Sequence, residues 1–175
     1  MPDGGGQDPF RALARASLEH TLRGKGSLPL PEGLPRELTE HKAGVFVTLY
    51  KGGHLRGCIG TVQPTTACVG SEIMQNAVSS ALHDPRFPPV TLDELPQLTI
   101  KVDVLHPPEP IDGEGALDPQ RYGVIVASAR KRGLLLPRLD GVDTVAEQVA
   151  IAKQKAGIAP HEPYSLSRFE VTRHE

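Results

Sequence analysis

The sequence predicts an α+β fold, and three observations carry that prediction. Apolar runs with period-two alternation come in neighbouring pairs joined by turn residues, as in antiparallel hairpins and unlike regular βαβ units. Three other segments place apolar residues three and four apart, the spacing of one helix face. The 18 Gly and 17 Pro of the 175 residues, one residue in five, follow no period, so they serve turns and not a fibrous repeat. With 38% hydrophobic residues the chain is too apolar to remain disordered. A domain of this length removes about 70% of its unfolded surface from water, so its core needs no disulfide or metal.

In chain order, Met1–Gln7 reads as a disordered Gly-rich tail, and residues 8–175 are expected to form a single domain. The first helix opens with Asp8 as N-cap and Pro9 at the first helical position. Phe10, Leu13, Ala14, Ser17, Leu18 and Leu22 make its apolar stripe, and Gly24 and Gly26 end it. Residues 27–36, with Pro29, Pro31 and Pro35, read as a surface loop. Gly44–Val62 reads as a β-hairpin about Gly52-Gly53, a pair that accepts positive φ at both centres of a type I′ turn. A two-residue turn sets Lys51 opposite His54, Leu49 opposite Arg56, Val47 opposite Cys58 and Val45 opposite Gly60. His54, Arg56 and Cys58 then share one face, and Leu55 and Ile59 the other.

A second helix is expected over Pro64–Leu82, capped by Thr66, with a polar stripe of Glu72, Asn76, Ser79 or Ser80, and His83. It ends at His83, because Asp84 precedes Pro85 and residues before proline avoid the helical region. Leu98, Ile100, Val102 and Val104 alternate with Thr99, Lys101, Asp103 and Leu105, the pattern of a half-buried strand. Tyr122–Val126 and Gly133–Leu136 read as strands around a basic turn, Ala129-Arg130-Lys131-Arg132. The capping box Thr144-x-x-Glu147 opens a last helix that stops at Gly157, and Ser165–Thr172 reads as a final strand.

Composition narrows the function classes. Lys and Arg number 19 against 21 Asp and Glu, a net charge of −2 that gives no general pull toward nucleic acid or an anionic membrane. Three Tyr, four Phe and no Trp leave little stacking surface for single-stranded nucleic acid. No stretch approaches the roughly 18 apolar residues of a membrane span. The start MPDGGGQDPF lacks the basic and apolar regions of a secretion signal, so the expected location is cytoplasmic. Cys58 and Cys68 lack metal-ligand spacing and the seven His form no pair three or four apart, so neither metal nor cofactor is expected.

Cys58 is the residue with nucleophile chemistry in a suggestive setting. A nearby cation lowers a thiol pKa, and Arg56 two positions away on a strand sits about 7 Å off. The competing reading is a small buried thiol packed against Val47. Gly57 and Gly60 clear room either for a ligand or close-packed backbone, or for a bulge. The Glu72, Asn76 and His83 stripe faces a cleft or plain solvent. Asp84-Pro85-Arg86-Phe87 holds an Asp and an Arg rigidly, or simply terminates the helix with Phe87 in the core.

Leu55-Arg56-Gly57-Cys58-Ile59-Gly60 resembles the six-residue signature of the AMMECR-type domain, known in bacteria and archaea as protein A of the AmmeMemoRadiSam system. The likeness continues through GVFVTL, SEIMQNAVSSAL, DPRFPPVT, DELPQL, VDVLHPPEPI, RYGVIV, GLLLP, GVDTVAEQVAIAKQKAGI and RFEV. The resemblance implies a two-lobed fold, mostly antiparallel sheet flanked by helices with a smaller second lobe. It also implies association with a Memo-like protein and a radical SAM enzyme in a modification pathway. Carried onto this chain, Arg56, Gly57, Cys58 and Gly60 match the signature, and Glu72, Asn76, Asp84, Arg86 and Phe87 match the adjoining blocks. Two functions follow as expectations. One is a substrate-binding or accessory component that takes a small polar or anionic ligand near Arg56. The other is an enzyme with Cys58 as nucleophile and Glu72 or His83 moving protons.

Overall fold

A computed structural model describes residues 7–175, so the tail expected over Met1–Gln7 lies, except for Gln7, outside the described residues. Two compact units emerge, one from the chain up to Leu105 with Thr172–Glu175, the other from His106–Val171.

In the first unit, helix α1 (Pro9–Leu22) starts as its sequence dictates, with Asp8 accepting the Phe10 N–H. A short helix α2 (Arg36–Thr39) closes the proline-rich loop, a turn too brief to show periodicity. The four-stranded sheet runs β2-β1-β3-β8, from β1 (Val45–Lys51), β2 (His54–Gly60), β3 (Leu98–Leu105) and β8 (Val171–His174). Antiparallel pairing sets Val47 against Val102 and Leu49 against Ile100. These side chains form the core with Leu13, Ala14 and Leu18 of α1 and Ile73, Ala77 and Ala81 of helix α3 (Val69–Leu82).

Three local readings change. The hairpin turn is as expected, with φ of 58° and 78° at Gly52 and Gly53. Past Tyr50–Leu55, however, a β-bulge inserts Arg56, so Leu49 faces Gly57, Thr48 faces Cys58 and Val47 faces Ile59. A bulge adds one residue to one strand and reverses the alternation beyond it, which separates Arg56 from Cys58. Helix α3 begins at Val69 rather than near Pro64, because the Glu72 carboxylate folds back onto Thr65 and Thr66 and holds them outside the helix. Strand β3 is not half-buried: Lys101 and Asp103, on the face away from the helices, are 7% and 0% exposed.

The second unit has a sheet ordered β4-β7-β5-β6, from β4 (Glu109–Ile111), β5 (Gly123–Ser128), β6 (Lys131–Leu135) and β7 (Ser165–Phe169). Helix α4 (Val145–Ala156) packs Val149 and Ala152 on Val124 and Val126. Its caps follow the sequence: Thr144 accepts the Glu147 N–H, and Gly157 ends it at φ 73°. Lys131 and Arg132 belong to β6, with the turn carried by Ala129 at φ 53°. The single final strand expected over Ser165–Thr172 is two, β7 and β8, in different sheets.

Candidate functional site

Cys58 sits on the edge strand β2 and is half-buried. Its thiol meets the Thr48 hydroxyl at 3.3 Å across the sheet. An edge strand leaves backbone groups unpaired, and here side chains from the segment after α3 take them. Asp84 Oδ2 accepts the Cys58 N–H at 3.0 Å, and Arg86 Nη2 donates to the Cys58 carbonyl at 3.3 Å.

That segment is built for the task. Asp84 cannot continue the helix before Pro85, and a turn closes from the Asp84 carbonyl to the Phe87 N–H. Within it Asp84 Oδ1 accepts the Arg86 backbone N–H at 3.0 Å and its Nε at 3.1 Å, while Oδ2 takes Nη2 at 2.8 Å. The Arg86 hydrogen bond, above all, holds the Asp84 carboxyl well below the usual carboxylate range, with burial opposing and the Cys58 N–H assisting. Arg86 in turn is raised, first by its hydrogen bond to Asp84, and charge on Cys58 contributes in the same direction. Its side chain stays 55% exposed. The structure therefore brings Cys58, Asp84 and Arg86 together.

Arg56 stands elsewhere. Its side chain is 12% exposed, and it binds Glu94 with Nε at 3.0 Å and Nη2 at 3.2 Å while Nη1 donates to the Pro88 carbonyl at 2.8 Å. Lys51 Nζ reaches the same carboxylate at 2.9 Å, and the Thr91 N–H adds another bond. Led by Arg56, these partners bring the Glu94 pKa down to about 2 against its burial. Each of the three Arg56 guanidinium nitrogens is thus hydrogen-bonded within the protein. Its work is to pin the Pro88-Pro89 stretch along the outer edge of β2.

The room around the signature glycines is filled by the chain itself. A Cβ at Gly57 would lie 2.1 Å from the Ser80 carbonyl oxygen, and one at Gly60 would lie 2.2 Å from the Phe46 ring. Both glycines serve close packing, of β2 on helix α3 and of β2 on the β1 aromatic.

The α3 stripe is sealed. Glu72 is 0% exposed, Asn76 2% and Ser80 1%. Glu72 accepts five hydrogen bonds of 2.7–2.9 Å, from the Thr61, Thr65 and Thr66 hydroxyls and from the Thr65 and Thr66 N–H groups. Burial raises its pKa, yet these donors outweigh it and the net direction is down. Asn76 donates to the Val45 carbonyl at 2.8 Å and to Thr61 at 3.1 Å. The Ser80 hydroxyl sits between paired residues, donating to the Val47 carbonyl at 2.7 Å and accepting the Ile59 N–H at 2.8 Å. His83 is apart from this seam and lines a groove of about 420 Å³ with Ser17, Met74, Gln75 and Ser79. The two proposed proton carriers thus stand in different places, Glu72 inside the seam and His83 on the groove.

Comparison with known proteins now bears on this arrangement: the profile of the AMMECR1 family matches residues 11–175. The chain belongs to the AMMECR1 family. It is similar to a Thermotoga maritima protein, 46% identical over 172 residues that cover 97% of this chain and 99% of that one. Protein CA_C1420 of Clostridium acetobutylicum is 48% identical over 170 residues, 97% of this chain but 36% of its own length. The chain thus spans about a third of that relative. The fold matches the crystal structure of the uncharacterized protein PH0010 from Pyrococcus horikoshii, with a TM-score of 0.86, 35% identity, and coverage of 94% of this chain and 88% of that one.

For this AMMECR1 member, sequence reasoning missed Thr48, Glu94 and Lys101. Glu94 carried one local signal, the Thr91-x-x-Glu94 capping box, which forms. Its pairing with Arg56, 38 residues away, had no local sign. Thr48 and Lys101 face each other across β1 and β3 and stand in one row with Cys58, a register set by the bulge. Among the described residues no group of three His, Cys, Asp or Glu is placed to hold a metal, and no helix is long and apolar enough to cross a membrane.

Proposed function

We propose that this AMMECR1-family protein is a ligand-holding accessory component of a modification pathway, working beside a Memo-like protein and a radical SAM enzyme, with its site at the Cys58 edge of β2. One observation carries the reading. Arg86 is a cation locked in orientation by Asp84, more than half exposed, and beside a half-buried thiol. Preorganised, partly exposed Arg is suited to carboxylate or phosphate groups. The ligand expected near Arg56 is accordingly assigned to Arg86, because Arg56 is spent on Glu94 and Pro88. The pathway itself comes from the family resemblance. In the Clostridium relative the matching region makes up 36% of a longer chain.

The test is calorimetry of the purified protein against nucleotides, amino acids and acidic metabolites. Wild type binds one class, and Arg86→Ala weakens that binding by about tenfold or more. Absence of any binding, together with a pathway that still runs in cells carrying Arg86→Ala, would overturn the reading. The second reading, a cysteine-dependent enzyme, is favoured by the cation beside Cys58. Cys58→Ser separates the two: the accessory component keeps its ligand and its pathway function, while the enzyme loses turnover.

A further inference from the structure

Lys101 is a buried ammonium that forms no ion pair among the described residues. It is 7% exposed. Its polar partner is the Tyr50 hydroxyl at 3.3 Å, and it lies over the Tyr50 ring, 5.5 Å from the centroid. The neighbouring carboxylate on the same strand face, Asp103, accepts from Arg173 through Oδ1 at 2.6 Å, while its buried Oδ2 has no hydrogen-bond partner among the described residues. An ammonium offers three donors, and among the described residues the Tyr50 hydroxyl takes one, in a place where desolvation of a charge is costly. A folded protein has little reason to keep such a charge unless something negative arrives.

The row in which Lys101 stands shows from where. Lys101 is directly opposite Thr48, and Thr48 is directly opposite Cys58. Along that row exposure rises from Lys101 and Thr48, both buried, to Cys58, half-buried, and Arg86 at the strand edge is open to solvent. Both cations have donors to offer; Asp84 pairs with Arg86, whereas no carboxylate among the described residues pairs with Lys101.

We propose that Lys101 is the anchoring cation for an anionic oxygen group, carboxylate or phosphate, of the ligand held at the Cys58 row. This rests on the reading that the Cys58 edge is the binding site, and the experiment separates the two.

Amide spectra of the ¹⁵N-labelled full chain are titrated with inorganic phosphate and, separately, with acetate. The amides of Thr48, Cys58 and Lys101 shift with at least one anion; the arm that shifts them tells which oxygen group the site takes. Lys101→Met weakens that binding by about tenfold and Lys101→Arg restores it to within about threefold. Lys101→Met also melts at or above the wild-type temperature, since it removes a buried charge that forms no ion pair among the described residues. A fall of several degrees would assign Lys101 a structural role and overturn the proposal. Anion binding lost in Arg86→Ala but intact in Lys101→Met overturns it while leaving the site reading standing. If no anion shifts these amides, or neither variant alters the titration, both fall together.

Discussion

Helix α3 and the turn that follows it carry two sets of polar groups that bond the β1–β2 hairpin, and they differ in what they leave open. Glu72, Asn76 and Ser80 are wholly buried and hydrogen-bonded to the chain. Asp84 and Arg86, one turn later, also bind hairpin backbone, yet Arg86 remains 55% exposed beside a half-buried thiol. Both sets are polar residues that follow one another along the chain, the first on the helix and the second in the turn after it. The difference teaches that polarity and spacing show where a hairpin is held, whereas residual exposure shows where a ligand has room.

The sealed set breaks with the largest effect. Glu72→Ala takes the acceptor from two backbone N–H groups and three threonine hydroxyls, of half-buried Thr61 and Thr66 and exposed Thr65. Each orphaned buried group costs about 1–3 kcal/mol where water cannot reach it, and partial relaxation brings the total loss to the order of 4 kcal/mol. Urea denaturation followed by circular dichroism measures it. A loss under about 1 kcal/mol would mean that the seam does not fasten the helix to the sheet.

The Arg56–Glu94 pair that pins Pro88 sharpens the comparison through pH. Glu94 falls from 4.5 to about 2 on folding, so its stabilisation is full above about pH 4.5 and disappears as pH falls through about 2. The shift corresponds to the order of 3 kcal/mol at neutral pH. Glu94→Gln removes this contribution, so its stability changes less than wild type between about pH 5 and pH 2. Thermal melts across that range test it, and parallel curves for the two proteins would dissociate Glu94 from the acid limb.

What could be read from the sequence divides along the same line. Signals confined to a few residues were legible: the Asp8 and Thr144 caps, the Gly52-Gly53 turn, the helix stop at Asp84-Pro85, and the Asp84–Arg86 pair within its turn. The bulge at Arg56 was not, because the groups it meets lie far along the chain: Glu94 bonds the arginine, and the Ser80 carbonyl fills the place of a Gly57 side chain. One inserted residue moved Cys58 from Val47 to Thr48 and so into the row of Lys101. The alternation of β3 likewise gave Lys101 and Asp103 a solvent face, and only tertiary packing buries them.

The smallest effect discriminates between the two arginines. Iodoacetamide labels half-buried Cys58, while Cys68, 4% exposed, stays protected in the folded protein. Arg86→Met slows labelling of Cys58 by about threefold at neutral pH, because the thiolate loses its neighbouring cation. Arg56→Met leaves that rate unchanged, since the Arg56 charge is directed at Glu94, provided melts show the variant folded under the conditions used. A slower reaction in Arg56→Met than in Arg86→Met would restore the pairing that unbroken strand alternation predicts, and with it a ligand site centred on Arg56 in place of Arg86.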